Sequence, residues 1–198
     1  MVAGGQLCGK FVSHSWFGVK FVRYQPLGPE VLTISAEELA RVTALLGRQP
    51  RGLQAVPVVA ADGMPMVIRV ASLVDEKPFP TLFWLVDRDL SYRIDQAEAG
   101  GLIRHFQRQV DADPELQGQM RADHQAHIAL RASHIPGAIL QRLQALGFGE
   151  VLNHKGIGGI ADYTRIRCLH TWYAAHLVVP NSIGAMLDNW WREQACAT

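Results

Sequence analysis

The 198-residue sequence predicts a single α+β domain, with a small antiparallel sheet followed by a predominantly helical C-terminal part. Two β-rich runs, LQAVPVVA and MPMVIRVAS, flank Ala61-Asp62-Gly63, which is a hairpin signal. From Asp87 the apolar spacing changes to the helical period, with Leu90, Ile94 and Ala97 on one face. A composition of 48% hydrophobic and 19% charged residues is that of a chain able to bury one sizeable core.

Residues 1–34 are set apart as an N-terminal appendage whose order the sequence leaves open; their aromatic and β-branched content also allows a short hairpin around Phe17–Tyr24. The first helix begins at Ser35, where Ser-Ala-Glu-Glu forms a capping box with Glu38, and stops at Gly47. Pro57 and Pro65 belong at edges or strand starts, because proline cannot donate to a ladder. PFPTLFWLV reads as a third, buried strand.

In the helical part, Gly100-Gly101 divides the segment after Asp87 into two helices. Asp113 caps the next, with Pro114 at its first position. That helix carries Met120, His124, His127 and Arg131 on one face, which reads as a solvated or salt-bridged polar stripe. Ile135 to Leu146 forms another helix, ended by Gly147. The glycine-rich loop GFGEVLNHKGIGGI fits neither dinucleotide nor P-loop spacing, so turn and packing roles are expected of it. A helix carrying Arg167, Cys168, His170 and His176 follows, then a Pro180-Asn181 break and a final helix. About five or six helices are expected after the sheet.

Composition also excludes functions. A net charge of +1 without a Lys/Arg stripe argues against nucleic acid. Cysteines 8, 168 and 196 show no paired spacing, which suits a reducing cytoplasm. No run approaches the ~18 apolar residues of a membrane span, and the N-terminus lacks a signal-peptide layout.

DGMPMVIRV, PFPTLFWL, the Glu98-x-Gly100 turn, the Asp-Pro-Glu-Leu helix with His124, GIGGI, RCLH and Asn181-x-x-Gly184 together resemble the bacterial domain-of-unknown-function 501 family, over Glu37 to Asp188. The resemblance brings no activity with it; members encoded near cell-division and polyphosphate proteins supply only a context. It implies cysteines before the Gly-x-Pro turn and at the end of the third strand, where this chain has Ala60 and Val86-Asp87-Arg88. If relatives hold a metal through those cysteines and that of Cys-Leu-His, this chain lacks the set.

A cysteine nucleophile needs a nearby cation and a base. Within one helix Cys168 and His170 stand about 200° apart, which makes Cys168 a small buried hydrophobe and leaves any base to come from His124 or His127. His170 falls beside Ile166, Tyr173 and Leu177, as a hydrogen-bonded core histidine would, and His176 is read as structural. His124 and His127 with His170, Glu98 or Asp123 have metal-ligand chemistry, but no motif supports a site, so no metal is assigned and the cofactor stays undetermined. Arg131 and Arg167, with Lys155, suit an anion.

The expected function is a cytoplasmic enzyme acting on a small anionic, even phosphorylated, substrate. His124, His170, Glu98 and Cys168 are its catalytic candidates; Arg131, Arg167 and Asn181 are its substrate-binding ones. The alternative is a non-catalytic interaction module linked to cell division, with Trp190-Trp191 as an exposed anchor for a protein partner.

Overall fold

The computed structural model describes the backbone of residues 10–16, 19–25 and 34–196, and the side chains of residues 34–196. The order is β1 (Lys10–Trp16), β2 (Val19–Gln25), α1 (Ala36–Leu46), β3 (Leu53–Ala60), β4 (Pro65–Val70), β5 (Leu73–Val74), β6 (Lys77–Pro78) and β7 (Phe83–Leu85). Six α-helices follow among the described residues: α2 (Arg88–Ala99), α3 (Leu102–Ala112), α4 (Pro114–Ser133), α5 (Gly137–Ala145), α6 (Leu169–Val178) and α7 (Ser182–Cys196). This is the expected α+β arrangement.

The main sheet is antiparallel, in the order β1-β2-β3-β4-β7. The backbone of β1 and β2 forms a hairpin that joins the sheet through Phe21↔Ala60, Val22↔Val59 and Arg23↔Val58. The rest of the segment expected as an appendage, residues 1–9, 17–18 and 26–33, lies outside the described residues, as does Cys8. Pro65 opens β4 as expected. Pro57, however, sits inside β3, which the ladder tolerates because its register slips between Ala55 and Val58.

β4 is covered on both faces. Ile68 and Val70 pack with Val42 of α1 and Val86 in a smaller cluster. Val67 faces the larger core, which β7, α2, α3, α4, α6 and α7 share. Alternation at period two sorts Phe83 and Leu85 to the larger core and Trp84 and Val86 to the smaller, whereas in β4 Met66 joins Val67 in the larger core.

Caps fix the helix starts. Ser35 and Glu38 close the capping box of α1. The Asp87 side chain accepts from the N–H of Leu90, and that of Asp113 from the N–H groups of Glu115 and Leu116. Gly101, at φ 86°, makes the break between α2 and α3. Among the described residues, no helix is long and apolar enough to cross a membrane.

Candidate functional site

α6 starts later than its sequence pattern predicts, and the site depends on this. The chain turns at Tyr163-Thr164 and has no regular structure over residues 165–168, and α3 engages its backbone there: Gln107 accepts from the N–H of Ile166 and donates to the carbonyl of Thr164. Cys168 is the N-cap of α6, at φ −155° and ψ 121°. Its side chain makes no cap bond; Glu98 of α2 supplies one instead, accepting from the N–H of Leu169 at 2.6 Å.

This geometry corrects the expectation that Cys168 and His170 face apart. With Cys168 outside the helix, the 200° rule does not apply, and its Sγ lies 3.7 Å from His170 Nδ1. Glu98 Oε1 lies 3.4 Å from the same nitrogen. His170 Nε2 faces the Ser91 carbonyl at 3.2 Å and Asp95 Oδ1 at 3.4 Å. Both ring nitrogens thus face acceptors, and the His170 pKa is raised to about 9, first by the hydrogen bond with Cys168, then by the charges of Cys168 and Glu98 and the Ser91 carbonyl, against desolvation. His170 is partly exposed and is not the core histidine its helical wheel implied, because its place in the first turn of α6 leaves it at the core's edge.

Ser91 and Asp95 were not among the expected residues. Ser91, Asp95 and Glu98 fall at i, i+4 and i+7 on α2, a polar stripe beside the apolar Leu90, Ile94 and Ala97. That periodicity was present in the sequence; its partner on α6 was not visible there. Glu98, Cys168 and His170 each place one ligand atom within 4.8 Å of the other two, a grouping that includes neither His124, His127 nor Asp123.

His124 is elsewhere. It is fully buried, accepts from the N–H of Ile157 at Nδ1 (3.0 Å), stacks on Tyr163 and meets the Trp172 ring edge-on. Trp172 lies two residues after His170 on α6, so the two histidines lie on opposite sides of that helix. Burial lowers the His124 pKa to about 4, so the ring is neutral, with its proton on Nε2. His124, expected as a proton-transfer residue, is thus placed apart from the Cys168–His170 pair, and the polar stripe of α4 is buried, not solvated: Met120, His124, His127 and Arg131 all face inward.

Arg131 is 1% exposed and donates to the carbonyls of Pro80 (2.9 Å), Leu152 and Lys155. It ties α4 to the chain before β7 and to the glycine loop, and is not open to an anion. Asn181 is buried too. Its Oδ1 accepts from the N–H of Gly184 and its Nδ2 donates to the Trp172 carbonyl, so it caps α7 and holds it to α6. Its expected substrate contact has the same correction. Arg167 is exposed, next to Cys168.

His176 is structural, as expected: it accepts from the N–H of Asn181 at Nδ1 and faces Asp188 Oδ2 at 3.0 Å, while the Tyr173 hydroxyl donates to Asp188 Oδ1 at 2.7 Å. Trp191, expected as an exposed anchor, is buried edge-on to Tyr173 beneath Arg93, and Trp190 packs partly buried against the core. The glycine loop packs closely, as expected: a Cβ on Gly156 would lie 2.2 Å from His124 Nδ1, and one on Gly158 2.7 Å from Thr171 Oγ1.

Beside Glu98 a shallow hollow of about 450 Å³ is lined by Arg104, Gln107 and Arg165. Among the described residues Arg165 makes long ion pairs only, at 3.7 Å to Asp111 and 3.8 Å to Asp162. Basic side chains from α3 and from the segment before α6 thus line a hollow next to Glu98.

No curated protein and no solved structure matches the chain. Residues 56–189 match the family described as "Protein of unknown function (DUF501)", and the chain belongs to it. The matched stretch includes every member of the Glu98, Cys168 and His170 cluster.

Proposed function

We propose that this DUF501 protein is a cysteine-dependent hydrolase of a small anionic substrate, with Cys168 as nucleophile and His170 as its acid and base. The observation that carries the reading is the 3.7 Å approach of Cys168 Sγ to His170 Nδ1 at the start of α6. A cysteine nucleophile needs a base within reach to take its proton, and His170 stands there. Ser91 and Asp95 position the ring from its far side, and Glu98 holds the helix start in place.

In this scheme the proton of the thiol resides on His170. Sulfur bonds to the electrophilic centre of the substrate as the bond to its leaving group breaks, and the leaving group takes the proton. Water then hydrolyses the enzyme adduct, giving its proton to His170 and restoring the pair. Arg167, with Arg104 and Arg165, supplies the positive field for the anionic group. A free thiol places the reaction in a reducing compartment, and we assign the protein to the cytoplasm.

The ligand-like spacing of Glu98, Cys168 and His170 supports a second reading, a soft divalent metal on these three donors. His170 Nε2 facing the Ser91 carbonyl is the outer contact such a ligand needs. One experiment separates the two. Iodoacetamide is titrated against the purified protein from pH 5 to 10, with and without zinc, and adducts are located by mass spectrometry. Selective alkylation at Cys168, slowed at least tenfold by His170→Ala and indifferent to zinc, supports the nucleophile. Protection by stoichiometric zinc supports the metal. Equal reaction at Cys168 and the exposed Cys196, with no effect of His170→Ala or zinc, overturns both.

A further inference from the structure

We propose that the hollow between the α2–α3 break and Trp190 of α7 binds a phosphate monoester that carries a flat ring, the chemistry of a mononucleotide, with Arg104 and Arg108 on the phosphate and Trp190 against the ring. The hollow measures about 490 Å³, the size of a small-ligand cleft, and Gly100 and Gly101 line it with bare backbone. It shares no residue with the Glu98, Cys168 and His170 cluster, so the inference stands apart from the proposed cysteine chemistry.

Charge points to the phosphate. Arg104, His105 and Arg108 all line the hollow, and no carboxylate does. Arg104 and Arg108 lie one helical turn apart on α3, an arrangement of like charges that weakens a helix. Elsewhere the fold gives its arginines partners: Arg51 and Arg142 pair with Asp75 and Glu76, Arg88 and Arg131 donate to carbonyls, and Arg93 lies over the Trp191 ring. Among the described residues Arg104 and Arg108 make no ion pair or hydrogen bond. The acid nearest to Arg108 in sequence, Asp111, is engaged elsewhere: its Oδ1 accepts from Gln107 at 2.8 Å and faces Arg165 at 3.7 Å.

Geometry narrows the class. One guanidinium fork occupies both oxygens of a carboxylate, whereas a phosphate monoester keeps acceptor oxygens for a second fork and so suits two arginines. Gln109 donates to His105 Nε2 at 3.2 Å, which puts the His105 proton on Nδ1 and makes this ring a further donor. Trp190 packs partly buried against the core, which fixes its indole, and its remaining surface lines the hollow. A fixed indole is a stacking surface for a flat ring.

The test is isothermal titration of the full chain, at low salt, with adenosine monophosphate, adenosine and inorganic phosphate. Adenosine monophosphate is expected to bind at least tenfold more tightly than either of the others. Arg104 also lines the hollow beside Glu98, so the variants are Arg108→Ala, at an exposed position, and Trp190→Leu. Arg108→Ala should weaken adenosine monophosphate and phosphate alike, by at least tenfold. Trp190→Leu should bring adenosine monophosphate down to the affinity of phosphate while phosphate binds as in the wild type, which also shows that the variant is folded. The proposal is overturned if adenosine monophosphate does not bind at millimolar concentration, if Arg108→Ala leaves its binding unchanged, or if the wild type binds phosphate or adenosine as tightly as the monophosphate.

Discussion

Cys168 Sγ and His170 Nδ1 are 3.7 Å apart because Cys168 stops short of the helix that His170 begins. Had α6 started one turn earlier, the same residues would point to opposite sides. The pair is a product of where the helix is capped.

That pair makes stability depend on alkaline pH. His170 has a folded pKa of about 9 against an ordinary value of 6.5, so its stabilising contribution is fully present below pH 6.5 and is lost as pH rises through 9. Urea unfolding at pH 7 and pH 10 should show a fall in the midpoint for the wild type. The fall should be smaller in His170→Ala.

Acid acts through other histidines. His124 and His127 have folded pKa values lowered to about 4 and about 3, so their contribution is present above pH 6.5 and is lost as pH falls below it. While the unfolded chain is protonated and the folded ring is not, each histidine costs about 1.4 kcal/mol per pH unit. Denaturant midpoints between pH 7 and pH 4.5 should fall steeply. His134, whose pKa burial and then Arg69 also lower to about 4, adds to the slope, so a His124→Phe variant that folds should lose about a third of it.

Gly156→Ala should destabilise by about 2 kcal/mol or more, since its Cβ would fall 2.2 Å from His124 Nδ1 in a packed ring cluster. Gly184→Ala should do the same through His176, whose Cγ would lie 2.1 Å away. Gly118→Ala is the control: nothing lies within 4 Å of its Cβ, and a helix interior gains about 1 kcal/mol from the change. Chemical denaturation of the three variants checks the order.

Arg131 and Arg167 should separate in opposite ways. Arg131→Met leaves the Pro80, Leu152 and Lys155 carbonyls without their donor and should cost about 3 kcal/mol or more. Arg167→Ala, at an exposed position, should change stability by less than about 0.5 kcal/mol while weakening binding of anionic substrate analogues. Calorimetric unfolding together with titration of the analogues reads both.

The local signals held where the chain's own neighbours decide the outcome. Ser35, Asp87, Asp113 and the Gly100-Gly101 pair start or break helices through atoms a few residues away, so their effects were legible in sequence. So were the β3–β4 hairpin, the shared face of the α4 stripe and the structural role of His176. The sequence by itself thus determined the α+β class and most of the element order, and it named Glu98, Cys168 and His170 as candidates without bringing Cys168 and His170 together. Tertiary structure alone decided which partners each of them has. Gln107 engages the backbone of Thr164 and Ile166 from 57 and 59 positions away, just before α6 begins. Arg131, Asn181 and His124 have side chains equally suited to a ligand or to a backbone group. Packing brought carbonyls and N–H groups to them first, since a polar group removed from water must find a partner, and only the assembled fold supplies the one within reach.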